Sequence, residues 1–283
     1  MRYGVYVQTT DARVGGMRPT AHVLADIDRV ERAGYESAWI MDHILIPRPE
    51  GITAGHDPMV VLGAAASRTS RIALGTLVLG DPFRPIWQTA REAAALADLS
   101  GGRFILGVGA GWSRPEFDAF GIPYDHLVSR LEERIDVVHR LLAGERVTRD
   151  GATLSLRDAH IVSTAPAPPI WIAGKGPRML RLTARVADGW NVAWGGPDAT
   201  WIAEPLALLR RELDTLGRDQ ASFTTSIGVN VGPGSGERDI LELARAYEAA
   251  GVDKLILSFA SGPGGEVFDE GIELAASVLG LAD

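Results

Sequence analysis

The chain contains no cysteine, which removes disulfides, iron–sulfur clusters, thiolate zinc sites and a thiol nucleophile together. A metal would have to be held by histidine and carboxylate alone. The histidines His22, His43, His56, His126, His139 and His160 form no His-x3-His or His-Glu-x2-His pair, so no metal is assigned. Lysine is nearly absent: of 28 basic residues only Lys175 and Lys254 are lysine, leaving 26 arginines. An excess of positive charge is absent too. With 36 acidic residues the net charge is -8, which repels phosphate backbones and anionic lipid when no basic patch is segregated, and none is visible. Met1 to Thr10 holds one basic residue and a five-residue apolar stretch before Gln8, too short for a signal-peptide core or a membrane span. These absences predict a cytoplasmic protein with neither nucleic-acid nor membrane partners.

What is present is 283 residues with 46% hydrophobic content, enough for one large single-core domain or two small ones. Short β-rich runs alternate with longer helical stretches along the whole length. Tyr3 to Val7 reads as a strand, and Thr20 to Ala33 as a helix with Thr20 as N-cap and Gly34 as its stop. Further strands are expected at Glu36 to Met41, Arg71 to Leu79, Phe104 to Val108, Ile170 to Ala173, Trp190 to Trp194, Phe223 to Val231 and Lys254 to Phe259. The helices between and after them run from Asp57-Pro58 to Arg68, Pro85 to Leu99, Ser129 to Ala143, Pro177 to Val186, Ala199 to Leu216, Glu237 to Ala250 and Glu266 to Leu279. The strands are near-continuous apolar runs, the mark of buried parallel strands. Between the fourth helix and the fifth strand, Thr153 to Leu156 and His160 to Ser163 read as a small β excursion closed by Pro166, Pro168 and Pro169. Eight strand–helix units and no Gly-x-Gly-x-x-Gly after the first strand predict an α/β fold, a (β/α)8 barrel in one domain over residues 1–283, with an insertion between strands 4 and 5.

A barrel of this kind carries its site at the C-terminal ends of its strands. Strand two ends in Trp39-Ile40-Met41-Asp42-His43. There Asp42 and His43 can move a proton or hydrogen-bond a planar heterocycle, or a neighbouring loop caps the histidine. Strand three ends in Leu74-Gly75-Thr76-Leu77-Val78-Leu79, where Gly75 signals a bulge or a close backbone approach. Strand four runs into Gly107-Val108-Gly109-Ala110-Gly111-Trp112. Alternating glycines either strip one wall for a flat ligand or pack tightly at the rim. Ala173-Gly174-Lys175-Gly176-Pro177 leads into a helix and reads as an anion site at its N-terminus, or as a simple turn. It is no Walker A loop, because glycine follows Lys175 where a hydroxyl belongs. Trp112, Trp190 and Trp194 line an apolar pocket or fill the rim. Ser100, in the turn before strand four, lies on the opposite face. A Schiff-base lysine is disfavoured: Lys254 begins strand eight and Lys175 sits in the anion turn.

Several stretches together resemble the luciferase-like monooxygenase superfamily, in particular its coenzyme F420-dependent oxidoreductase branch. They are Trp39 to His43, Arg71 to Val78, Leu99 to Trp112, Glu116 to Gly121, Arg130 to Glu133 and Pro169 to Asn191. The most specific are Ser-Gly-Gly-Arg-Phe-x-Leu-Gly-Val-Gly and the Ala-Asp-Gly-Trp of 187–190. The resemblance implies a dimeric barrel with coenzyme F420, or alternatively FMN, at its mouth. It places Thr76, Leu77 and Val78 behind the central ring, with a non-prolyl cis peptide at Leu77-Val78. Asp42 and His43 would contact the ring or assist proton transfer, Gly107 to Ala110 would form the strand-four wall, and Ala173 to Gly176 would bind phosphate. The family's sugar-phosphate dehydrogenases carry a glutamate just after the strand-four glycines, where this chain has Trp112. That favours a hydrophobic substrate, with Trp112 and Trp194 lining its pocket. The implied activity is hydride transfer between a deazaflavin and a small organic molecule. The alternatives are an FMN-dependent monooxygenase using O2 and a non-catalytic flavin-binding barrel. The loops that would select the substrate, at Asp11 to Pro19, Ile44 to His56, Ser113 to Tyr124 and Ser261 to Gly265, hold no readable motif.

Overall fold

The computed structural model describes residues 1–11, 16–48, 51–53, 55–163, 165–232, 234–259 and 267–281. Eight parallel strands form the centre: β1 (Arg2–Tyr6), β2 (Ser37–Ile40), β3 (Ala73–Thr76), β4 (Phe104–Gly109), β5 (Ile170–Ala173), β6 (Gly189–Gly195), β7 (Thr224–Val231) and β8 (Lys254–Phe259). Each pairs with the next, and β8 pairs back onto β1 with Arg2 opposite Lys254, so the sheet closes on itself. The result is a (β/α)8 barrel, as the alternation of runs predicts. Around it lie α1 (Thr20–Arg32), α2 (Pro58–Ala66), α3 (Ile86–Leu99), the short α4 (Arg114–Ala119), α5 (Leu127–Leu142), α6 (Pro177–Val186), α7 (Ala203–Thr215), α8 (Glu237–Ala249) and α9 (Val267–Val278). Among the described residues no helix is long and apolar enough to cross a membrane.

Local chemistry explains the element boundaries. Asp57 caps α2, its carboxylate accepting from the N–H groups of Met59 and Val60 at 2.8 and 3.2 Å; Pro58 follows at the first helical position, where its missing N–H costs nothing. Thr20, expected as an N-cap, is instead the first helical residue. Pro19 occupies the cap without a side-chain bond, because the ring already holds the extended backbone a cap needs. The insertion is the antiparallel hairpin Val147–Asp150 with Ser155–Ala159. It starts earlier than Thr153, because Glu133 of α5 anchors the Ala152 and Thr153 N–H groups in the turn, and His160 to Ser163 adds no strand. The long strand expected at Arg71 to Leu79 is broken. After Thr76 the chain leaves the barrel, passes a cis peptide at Leu77-Val78, and returns to pair Leu79 with Val108. Helix α4 lies inside a loop whose Pro115 masks any helical period.

Two apolar layers hold this together. The larger lies between strands and helices; the smaller fills the barrel with Tyr6, Trp39, Leu77, Ile105, Trp171 and Ile256. Trp39 and Trp171 meet at 5.0 Å inside it. Gly75 belongs there for a steric reason, since a Cβ on it would run into the Trp39 indole. At the closed end Lys254 is buried under both rings, with Ser37 and Glu36 as polar partners; desolvation lowers its ammonium below the ordinary lysine value. At that same end Arg103 reaches the carbonyls of Ala66, Thr69 and Ile72 and the Thr69 hydroxyl. Its N–H is taken by the Ser100 hydroxyl at 3.1 Å. The Ser-Gly-Gly-Arg segment is thus a latch on the stability face, far from the strand ends that carry chemistry.

Candidate active site

The C-terminal strand ends surround a cavity of about 1240 Å3. That exceeds the roughly 300–1,000 Å3 of a pocket for one drug-sized ligand, leaving room for a cofactor and a small substrate together. Its wall includes Asp42 and His43 after β2, Leu77 and Val78 after β3, Gly109, Ala110 and Trp112 at the end of β4, Ala173 to Gly176 after β5, and Trp194 of β6. Thr76, Gly107 and Val108 do not face it. The Thr76 hydroxyl donates to the Gly107 carbonyl at 2.6 Å, and Val108 is buried in the layer between strands and helices. The space beside Gly107 is filled by the Thr76 carbonyl oxygen, and a Cβ on Gly109 would stand 2.8 Å from Val78. These glycines let the β3 bulge approach β4. The Ser261 to Gly265 loop lies outside the described residues, as do parts of the first two loops.

The sequence sets Asp42 and His43 side by side, but the fold gives them different partners because successive residues of an extended chain point apart. Asp42 Oδ2 accepts from the Gly80 N–H and from Arg84, each at 3.0 Å. Arg84, itself buried, also reaches Asp57 at 2.8 Å. Burial pushes the Asp42 carboxyl above its ordinary value, opposed by Arg84 and the Gly80 N–H. One oxygen of Asp42 is therefore committed to holding the β3 bulge against the cap of α2.

His43 is held from another loop. Its Nδ1 lies 2.9 Å from Glu116 Oε2, and the other Glu116 oxygen accepts from the Leu45 N–H at 3.0 Å. Glu116 is fully buried on α4. Burial works to raise its carboxyl, but the bonds from His43 and Leu45 outweigh this and hold it below the ordinary glutamate value. An ionised carboxylate only accepts, so Nδ1 must carry the proton and Nε2 is the remaining ring nitrogen. Trp112 packs edge-on against the His43 ring at 5.5 Å and 81°. Sequence reading places Glu116 in a family-like stretch without giving it a role. Nothing in a spacing of 73 residues joins it to His43. Arg84 was missed for the same reason.

On the far side, β5 delivers the glycine–lysine turn. Gly174 has φ +136°, a conformation that disfavours any side chain, and its carbonyl accepts from the Trp190 indole at 2.7 Å. Gly176 caps α6 with extended backbone and open space around it. Lys175 stands with Nζ 5.9 Å from the Trp201 ring. Trp194 follows a second cis peptide, Ala193-Trp194, and meets Tyr6 at 5.2 Å. Asn191, also on the wall, donates to Ser226 at 2.9 Å, while its Oδ1 is buried without a hydrogen-bond partner.

A parallel barrel with its chemistry at this end defines a class broad enough to host many reactions. The luciferase-like monooxygenase family model matches residues 1–273, and the chain belongs to that family. An F420-dependent glucose-6-phosphate dehydrogenase of Beutenbergia cavernae is 40% identical over 167 residues, covering 56% of this chain and 48% of that protein; the chain thus spans about half the length of this relative. A phthiodiolone/phenolphthiodiolone dimycocerosates ketoreductase of Mycobacterium sp. (strain JLS) is 32% identical over 273 residues, covering 83% of this chain and 70% of that one. Among solved structures, an F420-dependent secondary alcohol dehydrogenase in complex with an F420-acetone adduct superposes with a TM-score of 0.84 at 17% identity, covering 100% and 99% of the two chains. That likeness concerns the fold.

Proposed function

We propose that the chain is a coenzyme F420-dependent oxidoreductase acting between a small, hydrophobic alcohol and its carbonyl form. The observation that carries this is the His43–Glu116 pair on the wall of the same cavity as the glycine–lysine turn. Two relatives whose names carry F420 or a ketone reduction support it.

The residues present fit such a cofactor. A buried, unpartnered Asn191 Oδ1 on the wall is an acceptor for a ring N–H, since leaving it empty costs about 1–3 kcal/mol. Leu77, Val78 and Ala110 offer an apolar surface to a flat ring. Lys175 and the backbone N–H groups opening α6 suit a phosphate. When bound, a deazaflavin supplies a ring carbon that takes up or returns a hydride.

The protein's own part is orientation and the proton. As the substrate hydroxyl becomes a carbonyl, its proton passes to Nε2 of His43, and in the reverse direction Nε2 returns it. Glu116 keeps the other proton on Nδ1 and offsets the positive charge that His43 acquires. Arg84 holds Asp42 and the bulge in place beside them.

The test is titration of the apoprotein with coenzyme F420 and with FMN, followed by tryptophan quenching. Micromolar binding of F420 is expected, and binding of FMN alone overturns the reading. Lys175→Glu should weaken F420 binding about tenfold at low salt, with the loss shrinking at high salt as screening sets in. A loss independent of salt would remove Lys175 from phosphate binding.

We also infer a homodimer through α2 and α3. Helix α2, Pro-Met-Val-Val-Leu-Gly-Ala-Ala-Ala, has no polar face, leaves Val60 72% exposed, and packs beside α3, where Trp87 is 52% exposed. A helix apolar all round belongs in an interior or an interface. The wild type should sediment as a dimer and Val60→Asp as a folded monomer; a monomeric wild type sinks the inference.

A further inference from the structure

The surroundings of His43 narrow the substrate class, an inference that rests on the reading above. Trp112 is anchored through its main chain, and apart from its edge contact with His43 its ring is largely exposed. Its carbonyl accepts from the Tyr124 hydroxyl at 2.9 Å, and Tyr124 packs on Phe117 at 4.9 Å and 86°, which packs on Phe83 at 5.5 Å. This ladder anchors the loop. Yet Trp112 itself is 70% exposed while it lines the cavity next to His43. An indole carried on an anchored main chain, touching His43 at one edge and otherwise largely exposed, is a platform for a flat apolar group within reach of the proton-transfer residue.

Charge points the same way. Among the described residues of the wall, Lys175 is the sole lysine or arginine, and the carboxylates are Asp42 and Glu116. Asp42 is matched by the Arg84 guanidinium, and Glu116 accepts hydrogen bonds from His43 and the Leu45 N–H. With Lys175 engaged by the cofactor, a phosphate on the substrate would meet no lysine or arginine among the described residues of the wall and would lie in a cavity that holds a buried glutamate. An unmatched anion in such a place is strongly disfavoured.

We propose that the substrate is an uncharged aryl ketone, or the matching secondary alcohol, seated on the Trp112 ring with its oxygen toward His43. A sugar phosphate finds no second lysine or arginine among the described residues of the wall and is expected to bind more weakly. Two electrons and one proton are exchanged: a bound, oxidised deazaflavin would take up the hydride lost by the carbinol carbon, while Nε2 of His43 receives the hydroxyl proton and the ketone is released.

The experiment is calorimetric titration of the F420-loaded protein with acetophenone and with glucose 6-phosphate, read as binding and therefore independent of turnover. Acetophenone should bind at least tenfold more tightly. Trp112→Ala should weaken acetophenone about tenfold, Trp112→Phe should restore most of the loss, and F420 affinity should stay within twofold in both. Equal or tighter binding of glucose 6-phosphate overturns the proposal, as does indifference of acetophenone to Trp112→Ala or binding of neither probe below about 10 mM. Failure of F420 to bind would instead defeat the cofactor reading. The same two probes titrated onto the apoprotein and its Trp112→Ala variant then decide the apolar platform separately.

Discussion

His43→Ala is expected to lower kcat by about 10^2 to 10^4-fold, the usual contribution of a positioned acid or base, while F420 affinity stays within tenfold because one ring contact contributes roughly 1 kcal/mol. Unchanged turnover would remove His43 from the reaction. Glu116→Gln keeps the shape of its partner and removes the charge, so its loss in kcat should be smaller and should shift the pH profile. The double variant should be little worse than His43→Ala alone, since Glu116 acts through the histidine. A fully additive double variant would mean that Glu116 works independently. Stability supplies a second readout. The Glu116 carboxyl is lowered in the native state, so its contribution is complete above the unfolded carboxylate value of about 4.3 and fades as pH falls through the lower native value. The stability gap between wild type and Glu116→Gln should therefore be full above about pH 4.3 and close only as pH falls through the lower native value.

Gly107→Ala is expected to destabilise the protein by about 3 kcal/mol or more, the upper range for forcing extra atoms into a filled interior. Its Cβ would overlap the Thr76 carbonyl oxygen, which is backbone inside the β3–β4 pairing and has no rotamer to yield. Against a total of about 5–15 kcal/mol for a domain, the urea midpoint should fall sharply or the protein should become insoluble. Gly176→Ala is the contrast. Nothing lies within 4 Å of the added carbon and the backbone there is ordinary extended chain, so stability should change by less than about 0.5 kcal/mol. Equal effects of the two substitutions would show that backbone approach is not what Gly107 provides.

The same glycine shows where reading the sequence stops. Alternating glycines after β4 fit both a wall stripped for a ligand and close packing. For Gly107 the geometry is packing against Thr76, while Gly109, although tight on Val78, also borders the cavity. Helix α4 was illegible for a related reason: it depends on the contact of Glu116 with His43, which local hydrophobic periodicity does not record. The break in β3, which pairs Leu79 with Val108, escapes periodicity too, and only the family resemblance places the cis peptide at Leu77-Val78.

Apolar periodicity and turn chemistry were sufficient by themselves for the eight units and the closed barrel, and with the family resemblance they name fewer than half of the residues on the cavity wall. Those signals are local, repeat at a short period, and leave few topologies open. Which side chains act together was decided only in three dimensions. Asp42 and His43 are neighbours in sequence and face different partners, Arg84 and Glu116, brought 42 and 73 residues along the chain by closure of the barrel. Hydrogen bonds and ion pairs act over a few ångströms of space, and the order of residues along a chain does not contain that distance until the chain has folded.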